Sequence, residues 1–204
     1  MNRVVMLISA IAALGVITGC PQSRHICSVD LCSPAEFYVD GKLCATNLVP
    51  RLETMESENV IVRVNVREPT KLCARDLIRF MWDVVSYADG VLVLPGGGEI
   101  AFGAGPDYVR CPQSPRIAFT STRIHYQKGH DTLSRPISEL SSVCAELLSD
   151  NNRGDDSAIE FGFQADRTMK DVLGYLQVAR DVGFKLVRVF YYYGGIQDDH
   201  YEFE

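Results

Sequence analysis

Cysteine is the residue type whose number and spacing in this sequence point most directly to chemistry. The chain has 204 residues and seven cysteines, and an odd count in an exported protein leaves one thiol for a task other than pairing. Zinc binding is the competing use of cysteine. However, no Cys-x-x-Cys pair occurs, and no histidine flanks a cysteine at the spacing of a zinc site. We therefore expect one modified cysteine, a set of disulfides and no metal.

The N-terminal segment predicts export and a lipid anchor. A positive start at residues 1–3 precedes an apolar run over residues 4–17, which is typical of a signal peptide. As a helix this run would be ~20 Å long, too short for the ~30 Å hydrocarbon core of a bilayer. Its ending, Val-Ile-Thr-Gly followed by Cys20, resembles the lipobox of bacterial lipoproteins, in which the cysteine carries diacylglycerol and becomes the first mature residue. We expect acylation of Cys20; the alternative is an ordinary secretory signal with an incidental cysteine.

The other six cysteines are candidates for disulfides. Disulfides persist in the oxidising compartments outside the cytoplasm, so three bridges are expected. Their pairing does not follow from spacing, although a hairpin centred near Pro34-Ala35 would favour Cys27 with Cys44. The six candidates are Cys27, Cys32, Cys44, Cys73, Cys111 and Cys144.

The remaining motifs give little support to catalysis or cofactor binding. His125 and His130 stand five residues apart, around a turn where polar residues are expected without a catalytic role. Residues 96–101 match the G-x-G-x-x-A spacing of dinucleotide sites, but the glycines and proline that follow oppose the helix that such a site requires. No G-x-S-x-G or S-x-x-K motif occurs. We expect a protein that is not an enzyme and has no cofactor.

Charge argues against nucleic acid as a partner. The chain has 26 acidic and 20 basic residues, a formal net charge of −6, and no basic block. Aromatic side chains are better candidates for a binding surface. Trp82 lies in the helical segment over residues 77–88, and Tyr191 and Tyr193 lie at the end of the last apolar strand. These side chains either complete the core or remain exposed to a protein partner or a glycan.

The elements that would position these residues occur twice. Residues 60–66 and 159–165 alternate apolar and polar side chains, which predicts strands with one buried face. Each is followed by helical spacing, over residues 77–88 and 172–182, and then by a short apolar strand. Two extended stretches and a further helix precede each alternating strand. Corresponding elements lie about 92 to 99 residues apart in the sequence.

This repetition predicts an α+β protein with two tandem ββαβαβ-type modules, each with two helices packed on a small mixed sheet. The boundaries are a signal peptide over residues 1–19, a first module over 20–95, a Gly/Pro-rich linker over 96–115 and a second module over 116–204.

Both modules resemble the periplasmic domain of the ExbD/TolR family. In the second, the strand ending Ala165-Asp166, the helix ending Val182-Gly183 and the strand 186–190 occupy the places of the family's central strand, helix turn and final strand. In the first, residues 37–42 resemble the family hairpin and residues 60–66 its central strand. The match covers most of residues 26–94 and 116–193.

The resemblance implies partners in an energy-transducing or transport complex, or peptidoglycan, rather than an enzymatic activity. Members of the family carry a transmembrane helix with an acidic residue that takes part in proton-driven motion. Here the only long apolar run is the signal segment, so proton conduction is not implied. We expect a lipid-anchored protein that faces the periplasm, with the choice of inner or outer membrane left open. The alternatives are a duplicated scaffold without a binding role and a secreted hydrolase.

Overall fold

The computed structural model describes residues 25–33, 36–45, 53, 60–103, 114–150 and 157–192. The signal peptide, Cys20, Cys111, Tyr193 and most of the helix expected before residue 60 lie outside these residues. The strands are β1 (His25–Ser33), β2 (Glu36–Val39), β3 (Lys42–Ala45), β4 (Val60–Val66), β5 (Asp89–Val93), β6 (Glu99–Gly103), β7 (Arg116–Phe119), β8 (Arg123–Lys128), β9 (Asp131–Pro136), β10 (Ala158–Gln164) and β11 (Leu186–Tyr192). The helices are α1 (Ala74–Val85), α2 (Leu140–Asp150) after a 3-10 turn (Ile137–Glu139), and α3 (Met169–Val182).

All eleven described strands form one mixed sheet, in the order β3-β2-β1-β4-β5-β6-β11-β10-β7-β8-β9. The α+β class is right in broad terms. The prediction of two tandem modules, each with two helices on its own small sheet, is wrong, because the sheet is continuous and the described residues contain three short α-helices.

Strand β6 is the reason for the continuous sheet, and it lies in the segment predicted to be a linker. Its residues pair antiparallel with β5 and parallel with β11. Gly97, at φ +77°, supplies the left-handed turn between β5 and β6. Beyond the turn, Ile100 and Phe102 are buried while Glu99 is exposed, which is the period of a strand with one face in the core. Residues 96–98 therefore form a hairpin turn, and residues 99–103 form a strand.

The repeated order of elements is retained within this one sheet. Strands β3-β2-β1-β4-β5 on one side of β6 have the same order as β9-β8-β7-β10-β11 on the other. In each set a hairpin leads into an edge strand, and parallel pairs place β4 beside β1 and β10 beside β7. The repeat seen in the sequence is thus a repeat of strand order and strand connections within one sheet.

The described helices pack on one face of the sheet. Helix α1 contacts β5, β6, β10 and β11, and α3 contacts α1, α2 and β6. The alternate strand residues that face the helices are buried in a single hydrophobic core, whereas most of those on the opposite face, called here the open face, are only partly buried. The buried residues of α1 are Ala74, Leu77, Ile78, Phe80, Met81 and Val84. None of the described helices is long and apolar enough to cross a membrane.

The N-termini of α1 and α3 meet and satisfy each other's backbone groups. The N–H groups of Ala74 and Arg75 donate to the carbonyls of Arg167 and Ala165, at 2.8 and 3.0 Å. Thr168, the N-cap of α3, accepts a hydrogen bond from the backbone N–H of Asp171 at 3.2 Å. The first-turn N–H groups that a helix leaves unpaired thus find partners across the repeat.

Candidate functional site

Two of the three aromatic residues predicted to form a binding surface lie together where α1 packs on β11. The rings of Trp82 on α1 and Tyr191 on β11 stack with centroids 5.9 Å apart and planes inclined by 24°. Both side chains are partly buried against the core. Nε of Arg79 lies 3.5 Å from the hydroxyl oxygen of Tyr191 and is placed to donate to it. Tyr193 lies outside the described residues.

Local structure explains why these three side chains meet. Arg79 and Trp82 are three residues apart on α1, so they share one side of the helix. Tyr191 follows the buried Val187 and Val189 at period two along β11, so it faces the helices. Partial desolvation raises the pKa of the neighbouring Asp83 carboxyl. We call Arg79, Trp82 and Tyr191 the aromatic cluster.

A second cluster lies on the open face and was missed in the sequence. Glu160 on β10 is 1% exposed. Its Oε2 accepts a hydrogen bond from Nε of Arg116 on β7 at 3.1 Å, and its Oε1 lies 3.8 Å from Nη1 of Arg188 on β11. The guanidinium carbon of Arg116 is also 5.3 Å from the ring centre of Phe190, within the range of a cation–π contact. We call Glu160, Arg116 and Arg188 the charged cluster.

Glycine makes the charged cluster possible. The ring of Phe190 lies across Gly162, where a β-carbon would be only 2.4 Å from its Cζ atom.

The sequence carries a weak signal for the charged cluster, since Glu160 occupies the polar position between Ile159 and Phe161. That pattern predicts a solvent-facing carboxylate. Its burial depends on two arginines that are 44 and 28 residues away in the chain.

The structure separates the two histidines considered for catalysis. His125 is 2% exposed in β8, while His130 is exposed in the turn before β9. His125 lies three residues before the end of β8, so ~10 Å of strand separates it from the turn that contains His130. Within the described part of the chain, no group of three or more His, Cys, Asp or Glu residues is arranged to hold a metal ion.

Two of the predicted disulfide cysteines are thiols in this structure. Cys73 caps α1, and its Sγ lies 3.1 Å from Oδ2 of Asp76. Burial and the hydrogen bond to Asp76 raise the pKa of the Cys73 thiol. Cys144 on α2 is fully buried, and burial raises the pKa of its thiol to about 12. Disulfide formation at these two positions stays a prediction.

Strand register also bears on the favoured pair of Cys27 and Cys44. Cys44 pairs with Phe37, which pairs with Leu31. Cys27 is four residues from Leu31, so it lies ~13 Å along β1 from the position that is level with Cys44. Two inter-strand spacings also separate β1 from β3. A disulfide requires Cα atoms within about 7 Å, so this register does not allow the bridge.

In the described part of the chain, the two clusters consist of aromatic and charged side chains. Neither cluster combines a nucleophile with a base, whereas tryptophan, tyrosine and arginine are the residues most enriched at the energetic centres of protein interfaces. Comparison of the chain with models of protein families, with curated proteins and with solved structures finds no match.

Proposed function

We propose that the chain is a non-enzymatic lipoprotein of the bacterial cell envelope that binds a protein partner through the aromatic cluster. The observation that carries the proposal is the stacking of Trp82 on Tyr191 beside Arg79. Stacking fixes both rings before a partner arrives, which lowers the entropy lost on binding. The N-terminal sequence supports anchoring by acylation of Cys20, and the ExbD/TolR resemblance supports a component of a transport or energy-transducing complex as the partner.

Crosslinking in cells that express the chain natively tests the binding surface. A photoreactive amino acid at Asp83, which is exposed and adjacent to Trp82, should form an adduct with one envelope protein that mass spectrometry identifies. The adduct should disappear when Trp82→Ala is added, because truncation at an interface centre costs about 2 kcal/mol or more.

The matched control is Tyr38→Ala, which removes a partly buried aromatic side chain from β2, on the open face of the sheet. This variant should leave the adduct intact. An adduct that survives Trp82→Ala, or recovery of peptidoglycan fragments in place of a protein, would contradict the proposed partner.

Lipid labelling tests the anchor separately. Cells fed a labelled fatty acid should transfer it to the wild-type chain and not to Cys20→Ser, and only the wild-type chain should sediment with membranes. Label that remains on the Cys20→Ser protein would contradict acylation at this position without affecting the test of the aromatic cluster.

A further inference from the structure

We propose that strand β9 pairs antiparallel with β9 of a second copy of this chain, in a register centred on Leu133. Among the described strands, β9 (Asp131–Pro136) forms one edge of the sheet and pairs with β8 alone. Every residue of β9 except Leu133 is exposed. A strand edge of this kind offers backbone N–H and C=O groups to a further strand. This surface is separate from the aromatic cluster, which lies where α1 packs on β11.

The backbone groups of β9 that point away from β8 belong to Thr132 and Ser134. The turn between β8 and β9 contains two residues, and Gly129, at φ +64°, begins it. The residues that flank such a turn exchange hydrogen bonds, and so does every second pair beyond them. The N–H of Ile137 accordingly donates to the carbonyl of Thr122, at 3.2 Å. Odd-numbered residues of β9 therefore bond to β8, and even-numbered residues face outward.

These outward groups restrict the register of a symmetric strand pair. When Leu133 lies opposite Leu133 of the second copy, Thr132 lies opposite Ser134, and each such pair exchanges backbone hydrogen bonds in both directions. In the same register, Asp131 of each copy lies opposite Arg135 of the other. A slip of two residues is the smallest that keeps the outward groups opposed, and it separates these charges at both ends.

The side chains also complement each other in this register. Residues 131, 133 and 135 share one face of β9, so the partly buried leucines of the two copies would meet between oppositely charged pairs. Nη1 of Arg135 donates to Glu139 of its own chain at 2.9 Å. Because a guanidinium has several N–H groups, this bond leaves Arg135 able to contact the carboxylate of Asp131 from the second copy.

Arg123 of β8 limits the strength of the strand pair. Its Nη2 donates to the carbonyl of Ser134 at 3.2 Å, and its Nε donates to the hydroxyl oxygen of Ser134 at 2.7 Å. The first bond uses one of the lone pairs of a carbonyl that the second copy also contacts. Stable interfaces take about 20–30 residues from each side, whereas β9 contains six. The expected dimer is therefore weak and depends on concentration, and Arg123→Ala should strengthen it.

Charge reversal followed by mixing tests the register. In sedimentation equilibrium of the full chain in mild detergent, the wild-type protein should shift from monomer to dimer as its concentration rises. Asp131→Arg opposes two arginines and Arg135→Asp opposes two aspartates, so each variant should weaken the dimer by about tenfold or more. An equimolar mixture of the two variants should dimerise again, because each supplies the charges that the other lacks.

The matched control is Lys170→Asp, which reverses an exposed charge on α3 and should leave the dimer unchanged. Urea denaturation of each variant shows whether it is folded. A wild-type chain that stays monomeric at every concentration would overturn the proposal and leave the edge to a strand of a different protein. A dimer that neither reversal weakens, or a mixture of the two variants that stays monomeric, would also overturn it.

Discussion

Replacement of Arg116 by leucine should destabilise the protein more than any other exchange of a single charge on the open face. The partner carboxylate of Glu160 has a side-chain exposure of 2%, so Arg116→Leu would remove the closer of its two described arginine partners from a buried charge. Removing one member of a buried ion pair costs about 3–5 kcal/mol. We expect a loss of that size in the free energy of unfolding, with a further contribution of about 0.5–1 kcal/mol from the contact with Phe190.

The double variant Arg116→Leu/Glu160→Leu distinguishes a stranded charge from lost packing. If the stranded carboxylate causes the instability, replacing both partners by apolar residues should bring the free energy of unfolding to within about 1 kcal/mol of the wild-type value. The exposed pair of Arg135 and Glu139, with side chains 45% and 42% exposed, provides the control. Arg135→Leu should change stability by less than about 1 kcal/mol.

Urea denaturation followed by fluorescence measures these differences, because Trp82 is the single tryptophan of the chain and lies in the folded core region. The reasoning is refuted if Arg116→Leu unfolds within about 1 kcal/mol of the wild type, or if the double variant is as unstable as the single one.

Three further measurements test other parts of the structure. Gly90→Ala should lower the free energy of unfolding by about 1–3 kcal/mol, because the new β-carbon would lie 2.2 Å from Cζ of the buried Phe102; urea midpoints equal to wild type would contradict this. Thr168→Ala should lower it by about 1 kcal/mol through loss of the cap on Asp171, while Thr168→Ser should not. The thiol of Cys144 has a pKa of about 12 in the folded chain and near 9 in the unfolded chain. Its favourable contribution to the free energy of unfolding is therefore complete below pH 9 and is lost as the pH rises toward 12. Between pH 9 and pH 12, the free energy of unfolding of the wild-type chain should therefore fall by about 4 kcal/mol relative to that of Cys144→Ala. A difference between the two proteins that does not change with pH would refute the raised pKa of Cys144.

Sequence patterns located the elements that depend on local periodicity. The alternation over residues 60–66 and the helical spacing over 172–182 predict β4 and α3 closely, because burial of one face imposes period two on strands and 3.6 on helices. Composition was misleading at β6. Its neighbouring glycines indicated a linker and outweighed the alternation that Ile100 and Phe102 continue.

Contacts between distant residues were beyond sequence reasoning. Nothing in the local sequence predicts that Trp82 and Tyr191 meet, and their stacking across 109 positions follows from the path of α1 over β11. The burial of Glu160 likewise depends on strand order, since β7 and β11 flank β10. A single sequence contains the polarity of each position but not which strand becomes its neighbour.

The position of β6 has a consequence for dividing the chain into pieces. Among the described residues, three pairs join β6 to β11, from Ala101 with Leu186 to Gly103 with Arg188. Through them, each half of the sheet covers the strand edge of the other. A fragment ending at residue 103 and a fragment beginning at residue 114 would each carry an unsatisfied strand edge, together with half of the paired N-termini of α1 and α3. The two fragments should therefore be insoluble when produced alone and should recover the native fold when produced together.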